Sequence, residues 1–177
     1  MRQILARADR DVADWMIRRC PYLELASHFT AIGLLEDGEL IAGVLFDEFT
    51  HFSIDMHVAA IPGRRWLTRE YMGECFRYPF LQLGVQRITG RVPASNAAAR
   101  RFDEHLGFTL EGRCRRALAG GEDLLIYGML KDECRWLGVG VNGTANSTGT
   151  AWRPRNGSAD AHESGSDADE PRAVTAA

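Results

Sequence analysis

Residues 87–130 carry strand and helix signals separated by firm stops, and they constrain the fold more than any other part of the chain. Residues 87–92 read as a short strand closed by Pro93, which cannot donate to a sheet ladder. Ser95 or Asn96 supplies a helix cap, and Ala98, Ala99, Phe102, His105 and Leu106 give the helix an inward face. Gly107 stops it, because glycine enters the left-handed conformation that ends helices without a steric penalty. Residues 108–117 and 123–130 then read as two strands joined through Ala119, Gly120, Gly121 and Glu122. The second of them, from Leu124 to Leu130, is almost wholly apolar, as in a strand covered on both faces.

The preceding half supplies the partners for this unit. Val12, Trp15, Met16, Cys20 and Leu23 recur at helical spacing, with Asp9 or Asp11 near the start and Pro21 near the end. Two apolar strands, 29–35 and 40–46, flank the acidic turn of Glu36, Asp37, Gly38 and Glu39. A third strand, about 52–61, alternates: Phe52, Ile54, Met56 and Val58 share one face, and Ser53, Asp55 and His57 the other. A second helix opens near Trp66, with a stripe of Leu67, Tyr71, Met72, Cys75 and Phe76, and Pro79 should end or kink it. A helical turn over 132–137 closes the chain's apolar part. The order α, β, β, β, α, β, α, β, β predicts a mixed α/β fold: a central, mostly antiparallel sheet with helices on both faces.

Composition changes after Leu137. Residues 138–177 are mainly Gly, Ala, Asn, Ser, Thr, Asp and Glu, with Trp152 the only large apolar side chain apart from isolated valines. Such a segment buries too little surface to offset the entropy of ordering it. The expected organisation is one domain over 1–137 and a disordered polar tail over 138–177. The N-x-S/T matches at Asn142, Asn146 and Asn156 reflect that composition. With 45% hydrophobic and 25% charged residues, the rest is enough for a real core. A formal net charge of -3 gives no electrostatic basis for a nucleic-acid partner. The arginine pairs at 64–65, 100–101 and 115–116 read mostly as solvated surface. Cys20, Cys75, Cys114 and Cys134 are scattered without metal-ligand spacing, so neither a metal site nor a disulfide framework is expected. No segment reads as a membrane span or export signal, so the expectation is a cytoplasmic protein with no membrane partner.

The run from Asn96 to Gly112, with its Asn96-Ala97-Ala98-Ala99 start and Leu106-Gly107-Phe108-Thr109-Leu110-Glu111-Gly112 end, resembles the GNAT (GCN5-related N-acetyltransferase) superfamily. The sequel through Tyr127-Gly128-Met129-Leu130 and Glu133-Cys134-Arg135-Trp136-Leu137 is similar to a phage- and bacterium-encoded branch of it. The resemblance spans most of 1–137 and is strongest over 87–130. It implies an acyltransferase that moves the acetyl group of acetyl-CoA, a co-substrate, to a primary amine on a small molecule or a protein, with a homodimer as one assembly. The alternative is a GNAT-fold binding or structural module without catalysis, such as a phage component.

The resemblance also implies site residues. Family members bind the pyrophosphate of CoA through a Gly-rich loop between the third meander strand and the next helix. Here that stretch runs through Gly63, Arg64, Arg65, Trp66, Leu67 and Thr68, with a single glycine but two arginines that can supply charge-assisted bonds to phosphate. The backbone of Val58, Ala59 and Ala60 takes the pantetheine and thioester carbonyl, and Asn96 serves as cap, ligand contact or both. The family's helix tyrosine, a proton donor, is replaced by Asp103, a poor donor at an aspartate's ordinary pKa. Tyr127 is a substitute by residue type alone. For the general base, His57 has the intrinsic pKa, ~6.5 in general, to accept a proton at neutral pH. Asp55, two residues back on the same face, could support it, and Glu48 is a third candidate. A structural role for His57 is the competing reading.

Overall fold

The computed structural model describes residues 1–6, 8–20 and 22–138, together with the backbone of Val174–Ala176. One twisted sheet organises the chain. β1 (Arg2–Leu5), β2 (Thr30–Glu36), β3 (Glu39–Asp47), β4 (Ser53–Ala60), β5 (Arg87–Pro93), β6 (Thr109–Cys114) and β7 (Leu124–Leu130) lie in the order β1-β2-β3-β4-β5-β7-β6. Every neighbouring pair along this path is antiparallel except β4 and β5. A last strand, β8 (Val174–Ala176), pairs antiparallel with β4 at Val58, Ala59 and Ala60. Of the expected polar tail, 138–177, most lies outside the described residues, and so do Trp152, Asn142, Asn146 and Asn156.

The helices cover the two faces unequally. On one face α2 (Arg69–Arg77) and α3 (Ala97–Leu106) pack on Ile54, Met56 and Val58 of β4 and on Ile88, Tyr127 and Met129. On the other, α1 (Asp9–Ile17) places Val12, Trp15 and Met16 against Ala31, Leu45 and Ala59. Asp9 docks α1 by accepting a hydrogen bond from the Ala31 N–H at 2.7 Å. Gly33 and Gly43 are cross-strand partners beneath this helix. A Cβ at Gly43 would meet Met16 and Val12 at 2.9 Å, so the close approach of α1 depends on a bare backbone there. Gly43→Val is expected to lower stability by about 1–3 kcal/mol through overpacking; thermal unfolding checks this, and an unchanged midpoint would refute it.

Several boundaries differ from the sequence expectations for local reasons. β1 was not anticipated, because its four residues are too few and too polar to show an alternation. α1 stops at Ile17, so Cys20 and Leu23 are buried from the segment after it rather than from the helix; Pro21 lies outside the described residues. Phe52 precedes β4 and is 73% exposed instead of sharing the face of Ile54. Leu67 is exposed because α2 begins later: Thr68 is its cap and accepts from the Tyr71 N–H at 3.2 Å. Pro79 lies in the first turn of a wide π-type segment, Tyr78–Leu83, which continues from α2 and leads to left-handed Gly84. Asn96, not Ser95, caps α3, and Gly107 (φ 109°) ends it. The buried stripe of α3 is Ala99, Asp103 and Leu106; Ala98 and His105 are exposed. The closing segment is a tight turn, Lys131–Glu133, followed by a second turn over 135–138, not one continuous helical turn.

Candidate active site

The only parallel contact in the sheet among the described residues is short. β4 and β5 pair at Ser53↔Arg87, Ile54↔Ile88 and Asp55↔Thr89, and no further. Past that point β5 continues against β7 alone, up to Pro93. The edge of β4 turned away from β3 is thereby free of β5 from Met56 onward, and at Val58, Ala59 and Ala60 it accepts β8. An edge strand of this kind presents backbone N–H and C=O groups to any extended chain.

His57 stands just past the last β4–β5 pair, on the face opposite α2 and α3. Its side chain is 18% exposed, and its Nε2 lies 2.9 Å from Oδ1 of Asp47, which is 4% exposed. A carboxylate only accepts, so Nε2–H donates and Nδ1 carries the lone pair. No protein partner occupies Nδ1 among the described residues. The pair is diagonal across β3 and β4: Leu45 is opposite His57, and Asp47 is opposite Asp55. Diagonal neighbours in a sheet are within reach of a ring as long as imidazole.

The expected supporter of His57, Asp55, is engaged elsewhere. Its Oδ2 accepts from Arg91 Nε at 2.5 Å, because Arg91 of β5 projects from the same face. Burial raises the Asp55 carboxyl, against the opposing pull of Arg91 and the smaller one of His57. Glu48 lies one residue beyond β3 with φ 47° and is exposed, and no hydrogen bond or ion pair joins it to His57. Tyr127 faces the other side of the sheet, fully buried, with its hydroxyl donating to Glu104 Oε1 at 3.2 Å. Burial raises its phenol further, which makes it a weaker acid.

α1 packs over β2 and β3 and meets β4 at Ala59, so this face of β5 to β7 has no helix over it among the described residues. The face carries a charged row: Asp47 and His57, Asp55 with Arg91, then Arg87 with Glu111 at 2.6 Å. The Glu111 carboxylate lies directly over Gly128, where a Cβ would clash with it. Arg87 holds the Glu111 carboxyl below the usual range.

The loop between β4 and α2 is compact. The N–H groups of Arg64, Trp66 and Thr68 donate to Ile61, Arg64 and Trp66 carbonyls. Those of Gly63, Arg65 and Leu67 have no protein partner among the described residues. Gly63 has φ 78°, which an L side chain rarely adopts. Arg64 is exposed but engaged: it forms ion pairs with Glu36 at 3.0 Å and Glu39 at 3.4 Å, tying the loop to the β2–β3 turn. Arg65 is exposed and makes no ion pair among the described residues. Trp66 packs on Phe102 of α3, ring centroids 5.3 Å apart, so loop and helix meet. Asn96 Oδ1 accepts from the Ala99 N–H at 3.0 Å. A surface hollow at the start of α3, lined by Ala94, Arg100, Arg113 and Leu125 among others, includes neither His57 nor Asp47.

Asp47 was missed from sequence. A register signal existed: a hairpin centred on His51 puts Asp47 opposite Asp55, and hence diagonal to His57.

No protein-family model matches the sequence, and neither does any curated protein. Solved structures do match. A chimera of the spermidine N-acetyltransferase SpeG from Vibrio cholerae with hSSAT superposes with a TM-score of 0.61 at 16% identity, covering 74% of this chain and 96% of that one. A probable acetyltransferase gives 0.53 at 21% identity, covering 71% and 72%. A dodecameric structure of the Vibrio cholerae spermidine N-acetyltransferase gives 0.59 at 17%, covering 74% and 94%. The single parallel pair that splays after three residues, the helices on both faces and these superpositions together give the chain the fold of the GNAT acetyltransferases.

Proposed function

We propose that the chain is an N-acetyltransferase that moves an acetyl group from acetyl-CoA to a primary amine, on a small molecule or a protein. The observation that carries this reading is the His57–Asp47 pair at the mouth of the β4–β5 splay. The β4 edge at Val58, Ala59 and Ala60, which β5 leaves and β8 takes up, suits the amides of a pantetheine arm. The unpartnered N–H groups of Gly63, Arg65 and Leu67, with the exposed Arg65, suit a pyrophosphate. Asn96 at the head of α3 remains a ligand contact candidate beside its capping role. The uncovered face with its carboxylates is where an ammonium would arrive, and Nδ1 of His57 takes its proton. Glu48 and Tyr127 have no part in this arrangement. A second reading, a binding module of the same fold without catalysis, is favoured by the single-glycine loop and the engaged Arg64.

Calorimetric titration with acetyl-CoA, followed by thiol release over a panel of amines, separates the two. Binding with turnover is expected. No binding at millimolar acetyl-CoA rejects the acetyl-transfer reading, and binding without turnover on any amine favours the binding module.

β8 adds a further expectation. A pantetheine arm and β8 would use the same backbone groups of Val58, Ala59 and Ala60, so they compete. Deleting residues 174–177 is expected to tighten acetyl-CoA binding, since a site available only part of the time binds more weakly by that fraction. An unchanged dissociation constant would show that the two do not compete.

A further inference from the structure

Two arginines of β5 stand in the charged row of the uncovered sheet face, and they are bonded differently. Arg87 is closed at every nitrogen: Nε donates to Thr89 Oγ1 at 3.2 Å, and the two terminal nitrogens meet the two oxygens of Glu111 at 2.9 Å and 2.6 Å. Arg91 uses Nε alone, on Oδ2 of Asp55 at 2.5 Å, and its two terminal nitrogens have no hydrogen bond among the described residues. The Arg91 side chain is 49% exposed and that of Asp55 only 10%. The sheltered carboxylate therefore holds the inner end of the guanidinium and leaves its outer end open. A planar guanidinium fixed at one end presents a fork of N–H groups at the other, the geometry that matches a carboxylate.

The register sets this fork across from the candidate base. Asp55 and Thr89 are the last residues that β4 and β5 pair. His57 and Arg91 lie two residues further along their strands, on the face of that pair, since side chains alternate along a strand. They are the first side chains of this face to flank the groove where the strands part. Three unpartnered groups meet at its mouth: the lone pair on Nδ1 of His57, Oδ1 of Asp55 and the outer N–H groups of Arg91. The first two accept and suit an amine or ammonium; the third donates and suits an anion. The neighbouring charges, Asp47 and Arg87, are answered by His57 and Glu111. One molecule that carries an amino group and a carboxylate a few carbons apart meets all three.

We infer that Arg91 selects the acceptor, by binding the carboxylate of a free amino acid whose amino group lies at His57. The inference rests on the acetyl-transfer reading above and narrows its acceptor. A polyamine offers Arg91 nothing and would set a second cation against it, and a lysine side chain on a protein has no carboxylate at that distance. Asp55 acts through Arg91 and is a positioning residue.

The full chain serves for the test. Thiol release from acetyl-CoA is followed over free α-, β- and γ-amino acids, each beside its carboxamide and the amine that lacks the carboxyl group, with spermidine as a polyamine. The carboxamides have the less basic amino group, so deprotonation alone favours them. Wild type is expected to show a kcat/KM about 10- to 100-fold higher for the best amino acid than for its carboxamide, the range that a hydrogen bond to a charged group supplies. Arg91→Ala is expected to raise the KM for that amino acid far more than it lowers kcat, and to bring it to the level of the carboxamide. Arg91→Lys keeps a cation beside Asp55, which guards against a loss of folding, but it lacks the fork and should lose most of the preference. A wild type that prefers carboxamides or spermidine, or a preference for the amino acid that persists in both variants, overturns the inference and leaves acetyl transfer standing. Absence of thiol release with every amine, carboxylate-bearing or not, overturns the acetyl-transfer reading and the inference with it.

Discussion

Replacing His57 by alanine is expected to lower turnover about 100- to 10,000-fold, the range a positioned general base contributes, with acetyl-CoA affinity unchanged. The two effects separate because different parts of β4 carry them. The expected cofactor contacts are backbone groups of Val58, Ala59 and Ala60 on the strand edge, and a side-chain truncation at His57 leaves those in place. The base function resides in the ring, which Asp47 holds in one tautomer with the lone pair on Nδ1. Asp47→Asn should therefore reduce kcat as well: an amide can accept from Nε2–H, but it no longer stabilises the imidazolium that forms when Nδ1 is protonated. Asp55→Asn should have a smaller effect, since Asp55 answers Arg91 rather than the imidazole. Single-turnover thiol release at saturating amine measures all three. A His57→Ala enzyme as fast as wild type would remove His57 from the mechanism and return it to a structural strand histidine.

The elements of the fold were legible because each carries a local cause: Pro93, the Asn96 cap and the Gly107 stop delimit α3, and alternation marks β4. Orientation was less legible. Apolar periodicity put Ala98 and His105 on the inward face of α3, but Ala99, Asp103 and Leu106 are the buried set. The count favoured apolar residues, and the true stripe includes a carboxylate that hydrophobicity alone assigns to solvent. Site partners were least legible, because they depend on which strands become neighbours. The same-strand spacing of Asp55 and His57 suggested a pair; the β4–β5 contact gives Asp55 to Arg91, and the β3–β4 register gives His57 to Asp47. Arg64 shows the same limit, since only the packed structure reveals Glu36 and Glu39 beside it.

Phe76→Ala is expected to have the largest effect on stability, a loss of about 3–5 kcal/mol for an aromatic core truncation. Phe76 is fully buried near the end of α2 and touches three other rings. Its centroid is 6.4 Å from Phe80 in the wide turn, 6.3 Å from Phe108 at the head of β6 and 6.1 Å from Trp136 beyond the closing turn. Phe108 and Trp136 come from segments distant in sequence and are anchored there, so no single neighbour can move in to fill the space, and the cavity term adds to the lost transfer free energy. Trp136 is also tied to the end of α3, its Nε1–H donating to the Leu106 carbonyl at 2.9 Å. Loosening it frees both α2, which follows the Gly63–Thr68 loop, and α3, whose Phe102 packs on Trp66 of that loop. Denaturant unfolding should show the fall in stability, and acetyl-CoA affinity should fall with it at temperatures where the variant is still folded. Full affinity in a folded but destabilised Phe76→Ala would mean that the groove is held by the sheet alone, independently of how the two helices are clamped.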